Sequence, residues 1–332
     1  MTLSPLARSL LWPLSLFYGV AARGRAWLYG RGILKQKRLN RPVISVGNLT
    51  VGGTGKTPMV IWLAERFLAE GKRVGILSRG YKGSSGTSDE IELMKSRLQS
   101  RVLFGVGANR HEQGRKLEAN LDVFLLDDGF QHLSLARDVN ILLIDAAQPL
   151  AKQQLLPTGR LREPVSAMAR ADLLVFTRTE TVPGTGAAIE KLEDFPVFSA
   201  VTRLLGLRRF GASLQALPAK EVEDGPFYAF CGVGNPLAFF RDLQNWKFTL
   251  TGQCEFVDHH RYDARDAREL EAAATASGAK ALITTEKDAQ NLSGVHFAAL
   301  PVYITVIDFE IPKEAKLLAF IREKVGAGSS AA

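Results

Sequence analysis

The turn Val51-Gly52-Gly53-Thr54-Gly55 runs into Lys56-Thr57 four residues after the β-branched stretch Val43-Ile44-Ser45-Val46. Residues of these types in this order form a phosphate-cradling P-loop between a strand and a helix. Glycines let successive backbone N–H groups curl around phosphate oxygens, and the N-terminus of the following helix adds the positive end of its dipole. Gly52, Gly53, Thr54 and Gly55 are therefore expected to wrap a nucleotide, with Lys56 on the β- and γ-phosphates and the Thr57 hydroxyl on Mg2+. The strict pattern G-x-x-x-x-G-K-[ST] has a glycine where this chain has Thr50, which leaves the flexibility to Gly52 and Gly53.

Further candidates lie downstream. The apolar run Leu121 to Leu126 stops at Asp127-Asp128-Gly129-Phe130-Gln131-His132. A carboxylate at the C-terminal end of a buried parallel strand shares the ligand-binding edge with a P-loop, so Asp127 is a candidate Mg2+ ligand. Leu156 to Pro164 sets Arg160 and Arg162 in a Pro/Gly-framed loop, where they either hold anions or are solvated. In Asp258-His259-His260 a histidine beside a carboxylate has the composition of a general base. Residue types alone favour a surface or capping histidine there.

The elements that must position these residues can be read from periodicity. Residues 3 to 22 carry apolar side chains at helical spacing, with Pro13 expected to kink or split the helix. No acidic residue precedes Glu65, whereas Arg8, Arg23, Arg25, Arg31, Lys35, Lys37, Arg38, Arg41 and Lys56 are basic, so the net charge of +8 belongs to the N-terminus. The densest apolar part is too short to span a bilayer, and the pattern suits an interfacial amphipathic helix with a cationic tail. The same helix packed on the protein's own core is the alternative. Strands are expected at Val74 to Leu77, Val139 to Ile144, Asp172 to Thr177, Phe227 to Cys231, Ala281 to Thr285 and Val302 to Phe309, with helices after the P-loop and over Ala264 to Ser277. Ser84 to Ser88 reads as a loop ending at Asp89-Glu90. Two separated cysteines, Cys231 and Cys254, suggest neither a disulfide framework nor a zinc site, and no nucleic-acid-binding motif accompanies the basic stretch. The expected fold is α/β: a P-loop NTPase-type, mostly parallel sheet flanked by helices, with a smaller C-terminal α/β lobe completing the cleft. The divisions fall at residues 1–40, 41–203 and 204–328.

Taken together, Val46 to Pro58, Ser78-Arg79-Gly80-Tyr81, Asp127 to His132, Leu156-Pro157 with Leu161 to Pro164, and Thr285-Glu286-Lys287-Asp288-Ala289 resemble the tetraacyldisaccharide 4'-kinase family. The resemblance implies transfer of the γ-phosphate of ATP, with Mg2+, to the 4'-hydroxyl of tetraacyldisaccharide 1-phosphate in lipid A biosynthesis. A membrane-lipid substrate implies a peripheral enzyme on the cytoplasmic face of the inner membrane, with no nucleic acid and no obligate protein partner. It also implies a catalytic pair. Asp89 matches the family's Gly-Asp-Glu-Pro element, here Ser88-Asp89-Glu90-Ile91, and His259 matches its downstream histidine, with His260 adjacent. Lys56 and Asp128 are implied in catalysis, Asp128 as a neighbour of the metal or a competitor for it. Asn48, Gln131, His132, Arg160 and Arg162 are implied in substrate contact, the arginines with lipid or with nucleotide. A membrane-peripheral ATPase or GTPase switch is the rival reading.

Overall fold

The structure, a computed structural model, describes residues 5–80, 88–190, 195–212, 217–218 and 225–329. Tyr81 and the expected loop up to residue 87 lie outside them. In chain order the elements are α1 (Pro5–Gly30), β1 (Val43–Asn48), α2 (Lys56–Ala69), β2 (Val74–Ser78), α3 (Asp89–Leu98), β3 (Val102–Val106), α4 (Arg110–Leu117), β4 (Val123–Asp127), β5 (Val139–Asp145), β6 (Leu173–Thr177) and α5 (Thr185–Glu190). There follow β7 (Val197–Arg209), β8 (Phe227–Cys231), α6 (Pro236–Asn245), β9 (Leu250–Glu255), α7 (Ala264–Ala276), β10 (Ala281–Thr285), α8 (Glu286–Gln290), β11 (Val302–Glu310) and α9 (Glu314–Ser329).

The chain forms two compact units, one of Met1–Tyr81, Leu98–Thr202 and Phe309–Ala332, the other of Lys82–Arg97 and Arg203–Asp308. Sequence order and spatial unit therefore part company at the segment carrying Asp89, which belongs with the C-terminal half.

In the first unit the strand order is β3-β2-β4-β1-β5-β6-β7, and the pairings are parallel. The central strand β1 is buried along its whole length, as its near-continuous apolar sequence requires of a strand covered on both faces. Consecutive strands β4 and β5 lie on opposite sides of β1, so the loops leaving β1 and β4 open together at the carboxyl edge, where open α/β sheets bind ligands.

Helix α1 runs unbroken through Pro13, so the helix is not split there. One face docks on its own unit: Ser15 Oγ lies 2.8 Å from Thr158 Oγ1, and the Tyr18 hydroxyl donates to the Arg162 carbonyl at 2.8 Å. Another face leaves Leu10 76%, Leu14 56% and Phe17 75% exposed. No helix of the described residues is long and apolar enough to cross a membrane.

In the second unit the order is β11-β10-β8-β9, again with parallel pairings. Its core is aromatic, with Phe230 edge-on to Tyr262 at 5.4 Å and Phe227 edge-on to Tyr303 at 6.0 Å.

Candidate active site

The P-loop is where the sequence places it. Gly55 adopts φ +87 at the N-cap of α2, a conformation that side chains disfavour, and a Cβ there would meet Phe309 Cζ at 2.7 Å. With no side chain to cap the helix, the first amides of α2 are left for a ligand. Thr54 Oγ1 is buried and has no hydrogen-bond partner among the described residues. Such an orphaned hydroxyl inside a glycine-rich turn fits a polyphosphate, whose oxygens accept such a proton. Gly52, at φ +114, and Gly53 complete the turn, and Thr57 follows Lys56 in the first turn of the helix.

Around the turn the structure gathers several of the residues singled out above. Lys56 Nζ lies 3.4 Å from Asn48 Oδ1 and 3.6 Å from Asp128 Oδ1. One guanidinium nitrogen of Arg162 straddles both Asp128 oxygens at 2.9 and 2.7 Å. Burial raises the Asp128 carboxyl's proton affinity, but Lys56 and Arg162 outweigh it and hold the group below the ordinary carboxylate range. Asp127 ends β4, is 3% exposed, and accepts a hydrogen bond from the Ser78 hydroxyl at 3.1 Å. Ser78 closes β2, and only its place in a strand-end motif marked it in the sequence.

The arginine loop is stitched to the start of the P-loop. Val51 N donates to the Arg160 carbonyl and Arg162 N to the Leu49 carbonyl, each at 2.7 Å. Arg160 directs its guanidinium to the Val51 carbonyl and Gln148 Oε1, both at 3.0 Å, so the two arginines take different partners. Gln131 Nε2 donates to the Asn48 carbonyl at 2.9 Å, while its Oε1 is buried without a hydrogen-bond partner among the described residues.

His132 sits in a basic environment that the sequence did not reveal. Burial and the nearby charges of Arg110, Arg137, Arg25 and Arg79 press its pKa down to about 4, so the ring is neutral at pH 7. The four arginines come from four separate stretches of chain. No spacing pattern could have linked them.

In the second unit Asp89 is the first residue of α3, with the Ser88 hydroxyl accepting from Ile91 N at 3.3 Å. The Ser-Asp-Glu start followed by Ile91, Met94 and Leu98 is a helix-entry signal. The Asp89 oxygens lie 3.0 and 2.9 Å from His259 Nδ1. An ionised carboxylate only accepts, so Nδ1 carries the proton and Nε2 of the neutral ring keeps its lone pair. The bond to Asp89 raises the His259 pKa above its ordinary value of 6.5, although burial and the Lys287 charge oppose it. Burial also raises Asp89, yet His259 and Lys287 overcome that and keep it below the ordinary range. His260 turns elsewhere, its Nε2 2.8 Å from Asp266 Oδ2 and its ring stacked 4.5 Å from Phe256.

The model of the family described as tetraacyldisaccharide-1-P 4'-kinase matches residues 7–326. A tetraacyldisaccharide 4'-kinase of Geobacter metallireducens is 41% identical over 330 residues, covering 93% of this chain and 96% of its own. Its counterpart in Parvibaculum lavamentivorans is 37% identical over 301 residues, covering 87% and 83%. Among solved structures, the crystal structure of the "apo" form of LpxK from Aquifex aeolicus in complex with ATP is similar with a TM-score of 0.76 at 32% identity, covering 96% of this chain and 99% of that one. The chain belongs to the tetraacyldisaccharide-1-phosphate 4'-kinase family.

Proposed function

We propose that this chain transfers the γ-phosphoryl group of ATP to the 4'-hydroxyl of tetraacyldisaccharide 1-phosphate, with the P-loop binding the nucleotide and His259 acting as the base. The observation that carries this beyond nucleotide binding is the grip of Asp89 on His259 Nδ1, which leaves Nε2 as a proton acceptor. A nucleotide switch has to orient water, whereas a kinase has to deprotonate an alcohol. The P-loop amides and Lys56 stabilise the phosphates, and Arg162 and Asp128 fix the Lys56 ammonium beside Asn48. The Thr57 hydroxyl and Asp127 would hold Mg2+, which when bound neutralises charge on the β- and γ-phosphates. His259 Nε2 takes the proton of the attacking hydroxyl. The deciding experiment follows labelled γ-phosphate from MgATP to tetraacyldisaccharide 1-phosphate in micelles. Free phosphate released without labelled lipid would favour the switch.

Arg25, Arg79 and Arg110 around His132 have the charge to receive the acceptor's 1-phosphate. A lost charge-assisted contact to phosphate weakens binding about tenfold or more. Arg79→Gln is therefore expected to raise KM for the lipid by about that factor with kcat little changed. With an acceptor lacking the 1-phosphate, the variant and the parent should match. An equal loss on both acceptors would remove the arginines from this role.

The outward face of α1 supports a peripheral position on an anionic membrane, its apolar side chains entering the interface while Arg23, and Arg31 just past the helix, meet headgroups. Each exposed apolar side chain contributes on the order of 1 kcal/mol on partial burial. Replacing Leu10, Leu14 and Phe17 by serine should lower sedimentation with anionic vesicles at least tenfold. Unchanged sedimentation would mean that α1 only packs on its own unit.

A further inference from the structure

Three consecutive residues of α8 each reach a different part of the Asp89–His259 arrangement. Glu286 pairs with Arg97 of α3 at 3.0 Å, which anchors the helix that carries Asp89. Asp288, fully buried, accepts from Gly232 N at 2.7 Å and from the Tyr262 hydroxyl at 2.8 Å. Gly232 in turn accepts from His259 N at 3.0 Å, so the histidine loop hangs from the Asp288 carboxylate at both ends. A Cβ on Gly232 would meet the Val257 carbonyl oxygen at 2.9 Å, which explains the absence of a side chain there.

Lys287 lies between these two anchors. Its Nζ is 3.1 Å from Asp258 Oδ1 and 3.7 Å from Asp89 Oδ2. The other oxygen of Asp258, Oδ2, is 3.8 Å from His259 Nε2, the nitrogen that the reaction needs open. A carboxylate so close to a protonated imidazole tends to close onto it as an ion pair and accept the Nε2 proton. We propose that Lys287 is a positioning residue for the base: it draws Asp258 off the Nε2 edge of His259 and leaves that nitrogen to the acceptor hydroxyl.

This rests on the reading of His259 as the base. The charged groups facing the ring are Asp89 of α3, Lys287 of α8 and Asp258 of its own loop; Glu90 of α3 acts on Lys287, and the neighbouring His260 is engaged with Asp266. Burial pushes the Lys287 pKa down, but Asp89, Glu90 and Asp258 more than offset it and hold it above its ordinary value, so the ammonium persists. Its side chain is 20% exposed, and a cation that sheltered keeps its charge only among such partners.

The test uses the full chain and two readouts: the titration of the His259 ring by NMR without substrate, assigned by its loss in His259→Gln, and the pH profile of kcat/KM. Lys287→Met should move both the ring titration and the acid limb of activity to higher pH. It should lower kcat/KM about tenfold at pH 7, with most of the loss recovered near pH 9, since a base limited by its protonation regains activity as it deprotonates. Lys287→Arg should stay close to the parent. Adding Asp258→Asn to Lys287→Met should bring the titration back down, because the competing carboxylate is gone. A uniform loss across pH with the His259 titration unmoved would reduce Lys287 to a structural role and overturn the proposal, as would a double variant titrating like Lys287→Met. If the titration moves as expected but activity does not follow it, the positioning role in the reaction falls. Full turnover in His259→Ala would instead mark the failure of the base assignment itself.

Discussion

Lys56→Ala is expected to reduce transfer of labelled γ-phosphate to lipid by roughly three orders of magnitude while leaving the fold intact. Phosphoryl transfer depends mainly on positioning and on electrostatic stabilisation of charge as it spreads over the transferring group, and removing one such donor typically costs about a hundred- to a thousand-fold. A full cation at the β- and γ-phosphates belongs at the upper end of that range. The fold should tolerate the change because the Lys56 ammonium is held by two polar atoms, Asn48 Oδ1 and Asp128 Oδ1, and Asp128 keeps Arg162 after Lys56 is gone. A partly exposed ion pair of this kind contributes at most about 1 kcal/mol, which moves Tm by a few degrees in a chain of this size. The check pairs single-turnover transfer with a thermal melt. Normal transfer by a folded Lys56→Ala protein would remove the P-loop lysine from the chemistry.

The P-loop, the Asp127 strand end and the buried central strands were legible because their signals are local: a β-branched run, glycines, and a helix-starting Lys-Thr pair. What the sequence hid were the edges. Strands β3 and β9 terminate the strand order of their units: Leu250 to Glu255 of β9 lacks the continuous apolar run of a strand covered on both faces, whereas Val102 to Val106 of β3 is apolar but short and only partly buried. Strand β7 was obscured in the same way, since Arg203, Arg208 and Arg209 interrupt its apolar positions just where composition suggested a boundary. Pro13 misled in the other direction, because a solvent-facing position in α1 lets the ring sit without ending the helix. The candidate site divides along the same line. Lys56 and Asp127 follow from spacing, but the pairing of Asp89 with His259 joins residues 170 positions apart, and residue types alone favoured a surface histidine there. Only the resemblance to a family pointed to that pair. The arginines around His132 shared no local pattern, and the α8 anchors of the histidine loop were marked only as part of the motif Thr285 to Ala289, with nothing to say what they hold.

His259→Ala is expected to lower kcat by about a hundred- to ten-thousand-fold, the usual range for loss of a general base, and His260→Ala by far less. The two rings differ in what they face, not in chemistry. His259 has Nδ1 against Asp89 and stands half exposed, whereas His260 is spent on Asp266 and on stacking against Phe256. The pH profile supplies a second, independent check. A base works only when neutral, so activity must fall as pH drops through the folded His259 pKa. Because Asp89 raises that value, the acid limb of kcat/KM should have its midpoint above 6.5. Asp89→Asn removes the stabilising charge and should move the limb to lower pH. It should also depress the plateau, because an amide can present N–H groups to Nδ1 and favour the tautomer with Nε2 already protonated. A limb that stays put in Asp89→Asn would separate Asp89 from the titrating base. If His260→Ala suffered the larger loss, the proton acceptor would be the ring that stacks on Phe256, and the open Nε2 of His259 would need another purpose.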